Sequence, residues 1–333
     1  MPNLNKKKTI ILIVILLLLS LLIVLFFILS GKKKEVYQGE PILLEALPPN
    51  DLGEIDVKNL RINEDVYTVW GVSDKVSVSA IEEMIRELGL DLTLENEEEG
   101  SHYYWTDNKG NSFQYFLLRN SLVFNVADGI PWNEVTLTNN SFSAFVEKYF
   151  DVSWDYELTH TLSFPEGREV FYARRLLEGG IGVEMTPNLY QETDHLILGN
   201  GMIFSGEIFL THFFDTGIRV PLLSSNRLSE YVNSPSYPKI ISTRPDDIAT
   251  VLGLDNSYPD INMEVLELQQ SVDNCKATDY SVVYLYESFD QTLLIPTYRL
   301  TMECRLMYKG LEYSVPAVGY VNAVDPQYIR TSE

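Results

Sequence analysis

From residue 10 to residue 29 the chain carries one polar side chain, Ser20, and no charge occurs between Lys8 and Lys32. At about 1.5 Å per residue such a run crosses a hydrocarbon core of roughly 30 Å. The pattern predicts a transmembrane helix over residues 9–30, embedded in membrane lipid, behind a short tail of residues 1–8. A cleaved signal peptide has a shorter apolar region and ends in a small-residue A-x-A-like site, which is missing here. The flanking lysines balance, three on each side, so the positive-inside rule does not orient the span. A short tail before the helix and a long body after it fit a signal anchor: tail in the cytoplasm, body on the extracytoplasmic side of the cell membrane.

Beyond the span the pattern changes. Residues 31–56 mix Pro41, Pro48 and Pro49 with charges and keep no period, as an extended spacer does. A first α+β unit is expected over residues 57–135. It has a strand "DVYTVWGV", then "SVSAIEEMIRELGL", where Ser79 can cap a helix whose Ile81, Met84, Ile85 and Leu88 share one face. An aromatic-rich meander, "SHYYWTDNKGNSFQYFLLRNSLVFNV", follows and turns at "NKG". The order recurs in a second unit, 136–255: helix-patterned "SFSAFVEKYF", then a hairpin around "PEG". A C-terminal antiparallel-sheet unit, 256–333, opens with "INMEVLELQQSVD", whose alternating Ile261, Met263 and Val265 predict a strand. The expected class is α+β, an N-terminal transmembrane helix followed by helix-plus-antiparallel-meander units.

Charge narrows the functions. All 47 acidic residues and 19 of the 25 basic ones lie beyond residue 34, a formal charge of −28 for the body. Nucleic acid is disfavoured as a partner, since no basic stripe follows Lys34. The histidines His102, His160, His195 and His212 lack metal-binding spacing, and the nucleophile-elbow, dinucleotide and phosphate-loop motifs are missing. No catalytic, metal or cofactor-binding residue is assigned, and no cofactor is expected. "TDNKGNS" lacks the spaced acids of a calcium loop and reads as a turn. One enzyme class leaves no sequence spacing to search for: an envelope hydrolase acting on glycans or peptides through a carboxylate pair. It is the alternative to a nonenzymatic binder.

At the C-terminus, "LLIPTYRL" (293–300) and "AVGYVNAVDPQYI" (317–329) resemble the ending of the YycH/YycI-like membrane-anchored regulatory proteins, and the helix-plus-meander body is similar to PepSY-like modules. The resemblance implies a nonenzymatic bacterial regulator, contacting a protein partner in the envelope or membrane, typically a sensor histidine kinase.

Two cysteines bear on the compartment. If "SVVYLY" and "LLIPTYRL" form a hairpin turning near Phe289 and Asp290, Tyr284 faces Ile295, and continued pairing sets Cys275 opposite Cys304 within disulfide reach. "KATD" (276–279) can interrupt that ladder. Two buried free thiols are the other outcome.

Overall fold

The computed structural model describes residues 42–44, 54–62, 65–73, 75–98, 101–132, 134–177, 179–185, 194–234, 237, 239–254, 263–269, 271–286 and 291–331. The predicted transmembrane run 9–30 lies outside them, as does most of the spacer. Among the described residues no helix is long and apolar enough to cross a membrane. Contacts divide the chain into Met1–Tyr37 and Gln38–Glu333, and the fold below is that of the second unit.

The chain runs through β1 (Ile42–Leu44), β2 (Ile55–Asp56), β3 (Val66–Val72) and helix α1 (Val78–Glu87) into a meander of β4 (Thr93–Glu98), β5 (His102–Thr106), β6 (Ser112–Phe116) and β7 (Ser121–Pro131). Helix α2 (Asn139–Phe150) precedes β8 (Asp155–Ser163), β9 (Arg168–Leu177), β10 (Ile181–Met185), β11 (Asp194–Gly199), β12 (Met202–Phe209) and β13 (Phe213–Pro221). Then come α3 (Ser225–Tyr231), β14 (Lys239–Ser242), α4 (Pro245–Leu252) and α5 (Met263–Gln269). Strands β15 (Val272–Tyr286), β16 (Leu293–Leu294), β17 (Pro296–Tyr308), β18 (Leu311–Asn322) and β19 (Ile329–Thr331) complete it.

The fold departs from the expected α+β class. Strands dominate, 19 against five α-helices among the described residues, and 14 of them form one mixed sheet. The expected helix-plus-meander units do not stay separate. β7 of the first meander pairs with β12, and β10 runs parallel to β15 of the last segment. Alternation along a strand fixes which side chains are buried but leaves its edges free, and these edges pair with one another across the expected boundaries.

Local signals explain the individual elements. Helix α1 starts at Ser77, whose Oγ accepts from the Ala80 amide, so the cap lies two residues before Ser79. Its Ile81 and Ile85 are buried against Trp105, Phe113, Tyr115 and Leu122 of the meander. Helix α2 has a reciprocal Thr138–Ser141 cap and buries Phe142, Phe145, Val146 and Phe150 in the same core. The β8–β9 hairpin turns through Pro165–Gly167, with Gly167 at φ +74°. One element differs from the strand its alternation predicts: the run containing Met263, Val265 and Leu268 is helix α5, which buries Val265 and packs Leu268 against the C-terminal core. Over so few apolar residues the strand and helix periods are hard to tell apart.

The C-terminal half has its own core, with even-numbered residues Tyr298–Leu306 of β17 and Val315, Ala317 and Val321 of β18 packed against α3, α4 and α5. Both resembling segments are structural here: Val321, Asn322 and Ala323 are buried, and Tyr298 donates through its hydroxyl to the Leu223 carbonyl at 2.6 Å.

Candidate functional site

Cys275 and Cys304 are joined, with a Cα–Cα distance of 3.9 Å and an S–S distance of 1.99 Å. The register that brings them together differs from the simple hairpin. Near the turn Tyr284 faces Pro296, one residue past the expected Ile295. A register shift between Ala277 and Asp279, at Thr278, removes that offset, so that Ala277 faces Met302 and the cysteines come opposite each other. The bulge lies within "KATD". Both sulfurs are in the C-terminal core, where Cys275 is 2 % and Cys304 1 % exposed.

Alternation gives the sheet two unlike faces. Helices α1 and α2 cover one face around Phe113, Phe124, Phe171 and Leu196. On the other, paired registers line up His160, Tyr172, His195, Glu207, Val123, Gln114 and Tyr104 in one cross-strand row from β8 to β5. Each of these side chains is half-buried. Tyr172 is sandwiched in this row: the His160 ring stacks on it at 4.2 Å and 12°, and the His195 ring lies 5.6 Å away. Sequence spacing could not group these histidines, because the row is perpendicular to the strands.

Burial tunes the row. It holds the His195 imidazole below its ordinary value, with nearby Asp194 pulling the other way, and it raises the Glu207 carboxyl against the opposing effects of Ser121 and Arg119. A histidine whose folded value is depressed contributes stability above its unfolded value of 6.5, and that stability is lost as pH falls toward the folded value. Glu207 acts in the opposite sense, favouring the fold as it takes up its proton. His195→Gln is therefore expected to flatten the loss of stability between pH 7.5 and pH 5 while leaving the Glu207 contribution in place. Urea midpoints of parent and variant at both pH values measure it, and equal losses would refute the assignment.

A chain of charges joins the two halves of the sheet. Arg174 on β9 donates to Glu157 on β8 (Nε–Oε2, 2.7 Å) and to Glu184 on β10 (3.0 Å). Glu184 also pairs with Arg299 of β17 at 3.2 Å and accepts from the Tyr320 hydroxyl at 2.7 Å. Burial, reinforced by Glu184, pushes the Tyr320 phenol well above its ordinary value. The Arg174 side chain lies flat across Gly182, where a Cβ would stand 2.9 Å from its Cδ. The two converging carboxylates, Glu157 and Glu184, thus both serve an arginine. No group of three or more His, Cys, Asp and Glu side chains that could hold a metal occurs among the described residues.

Beside Arg174 the sheet splits. β10 diverges from β15 below Val183, leaving a cleft of about 390 Å³ with Gly180, Gly182 and Arg174 on one side and Tyr280–Val283 on the other. Asp65 and Tyr67 line it as well. A second cleft of about 350 Å³ lies at β2, between Glu54–Lys58 and Asn274–Lys276.

No known protein family and no curated protein matches this chain. Among solved structures, an uncharacterized protein from Eubacterium rectale is similar at 13 % identity and a TM-score of 0.43, over 82 % of this chain and 88 % of its own. The C-terminal domain of YpeB from Bacillus megaterium is similar at 12 % identity and a TM-score of 0.28, over 73 % of this chain and 98 % of its own. Likeness at this level carries no functional argument, and neither structure bears on the YycH/YycI-like ending.

Proposed function

We propose that this is a membrane-anchored, extracytoplasmic interaction and regulatory protein whose body engages a protein partner of the envelope or membrane, and that it is not an enzyme. The observation that carries this reading is the sheet face opposite α1 and α2, a continuous row of half-buried aromatic and polar side chains from His160 to Tyr104. Such a mixed surface suits protein contact better than chemistry. The alternative, a hydrolase with a carboxylate pair, needs one acid free to donate a proton and one free to attack or activate water. Glu157 and Glu184, which converge on Arg174, are tied to Arg174 and Arg299.

The rest of the reading supports an exported body. The run 10–29 suits an anchor. A Cys275–Cys304 disulfide is of the kind that persists in oxidising compartments. The YycH/YycI-like ending makes a sensor kinase the first partner to test.

The test is site-specific photocrosslinking of the full-length protein in its own membrane, with the crosslinker at Tyr172 in one sample and at exposed Met307 in another. A discrete adduct to one membrane or envelope protein from Tyr172, and none from Met307, is the expected result. Adducts that do not depend on position would overturn the reading. Hydrolysis of cell-wall glycan or peptide that is lost in Glu184→Gln would favour the enzyme.

A further inference from the structure

We propose that the split between β15 and β10 is a strand-addition site that takes an extended peptide carrying basic side chains. This deepens the interaction reading and rests on it.

β15 is paired along one edge by β17, from Val272 to Tyr284. Along its other edge it meets β2 only at Cys275 and Lys276, and β10 only from Tyr284 to Tyr286. Between them, among the described residues, no strand pairs with Ala277–Val283, about 20 Å of chain at roughly 3.3 Å per residue. An unpaired edge is a template for another strand. The backbone is turned for it. The Cys275 amide donates to Glu54 O at 2.8 Å, toward β2 and away from β17. The Tyr280 amide is held by the carboxylate of its own neighbour, Asp279, at 2.8 Å. That is a local substitute which an incoming carbonyl can displace. By strand alternation the Val282 amide faces the same way.

The opposite wall also offers backbone. Ile181 and Gly182 pair with Leu177 and Leu176 of β9 on one side, while β10 reaches β15 only from Val183. A segment added along β15 therefore takes its hydrogen bonds from the β15 edge, with β10 as the far wall of the cleft. Gly180 presents no side chain there and has open space around it, which lets another backbone approach closely, whereas at Gly182 the Arg174 side chain fills the space a Cβ would take.

Charge selects the occupant. Among the described residues that line the cleft Arg174 is the cation, and Glu157 and Glu184 already engage it. Asp65 lines the cleft and exposed Asp279 stands at its edge, on a body of formal charge −28. An extended peptide with basic side chains fits this field, and an acidic one is repelled.

Three synthetic heptapeptides test this: an alternating valine–lysine peptide, its valine–glutamate counterpart, and the valine–lysine peptide N-methylated on alternate amides. Each is added to the full-length protein in detergent while amide hydrogen exchange is followed. The valine–lysine peptide should slow exchange at Tyr280 and Val282 by about tenfold or more, with the other two leaving it unchanged. Asp279→Asn, which removes the charge and keeps a side-chain oxygen for the Tyr280 amide, should weaken the effect without altering the unfolding midpoint by more than a surface change does. Equal protection by the glutamate or methylated peptide overturns the proposal, as does no protection by any. Slow exchange at the Val282 amide before peptide is added also overturns it, in favour of a segment of this chain or a second copy; the Tyr280 amide, already held by Asp279, does not decide this point. The interaction reading fails separately, when the crosslinker at Tyr172 captures no partner.

Discussion

Asp194→Ala is expected to lower the unfolding free energy by about 3 to 5 kcal/mol, the cost of leaving a buried charge without its partner. Arg175 on β9 and Asp194 at the start of β11 are 1 % and 0 % exposed, with Nε–Oδ2 at 3.1 Å and a second guanidinium contact to Oδ1 at 3.2 Å. The pair also organises backbone: Asp194 Oδ1 accepts from the Phe209 amide at 2.7 Å, and Arg175 donates to the Thr211 carbonyl at 2.5 Å. Removing the carboxylate strands a guanidinium beside Tyr156 and an amide on β12, both out of reach of water. Replacing both partners by apolar residues, Arg175→Met with Asp194→Leu, is expected to be milder than Asp194→Ala alone, because no charge is then left buried. The Phe209 amide still loses its acceptor, which keeps a cost of about 1 to 3 kcal/mol. Denaturant unfolding of the three proteins decides the matter; a loss below about 1 kcal/mol for Asp194→Ala would show that the pair contributes little.

Removing the disulfide has the next largest effect. Cys275 and Cys304 are 29 positions apart, and on the loop-entropy account a closure of that length stabilises the fold by about 3 to 4 kcal/mol. Cys275→Ala with Cys304→Ala is the suitable variant, because serine would bury a hydroxyl in the C-terminal core and add an unrelated penalty. The expected result is an earlier unfolding midpoint for the double variant and for the reduced parent alike. Thiol labelling after unfolding without reductant should find no free cysteine. Two labelled thiols would remove the bond and with it one support for an oxidising compartment; an unchanged midpoint would show that the bond stabilises the fold little.

The buried arginine leaves a trace in the sequence that belongs to no motif. In "REVFYARRLL" the buried side chains of β9 include Phe171, Ala173 and Leu177, and Arg175 falls in phase with them. A charge in step with core positions on a strand implies a buried counter-charge, but not where in the chain that partner lies. The row through Tyr172 is less legible still. Its members stand on separate strands and become neighbours only through pairing.

What the sequence determined by itself was local. The helix of Ile81 and Ile85, the turns at 107–111 and 165–167 and the alternating strands around Trp105 and Phe124 follow from side-chain period and from residues that tolerate a left-handed backbone, whose energetics are settled within a few positions. Tertiary structure alone decided how strand edges were used: β7 against β12, β10 parallel to β15, and a bulge at Thr278 that puts Cys275 opposite Cys304. It also decided that β10 meets β15 only from Val183, so that among the described residues no strand pairs with the rest of that edge as far as β2. The physical reason is that every backbone edge offers the same donors and acceptors whatever its sequence. Alternation chooses the buried face, and the choice of neighbour waits on the packing of the whole sheet.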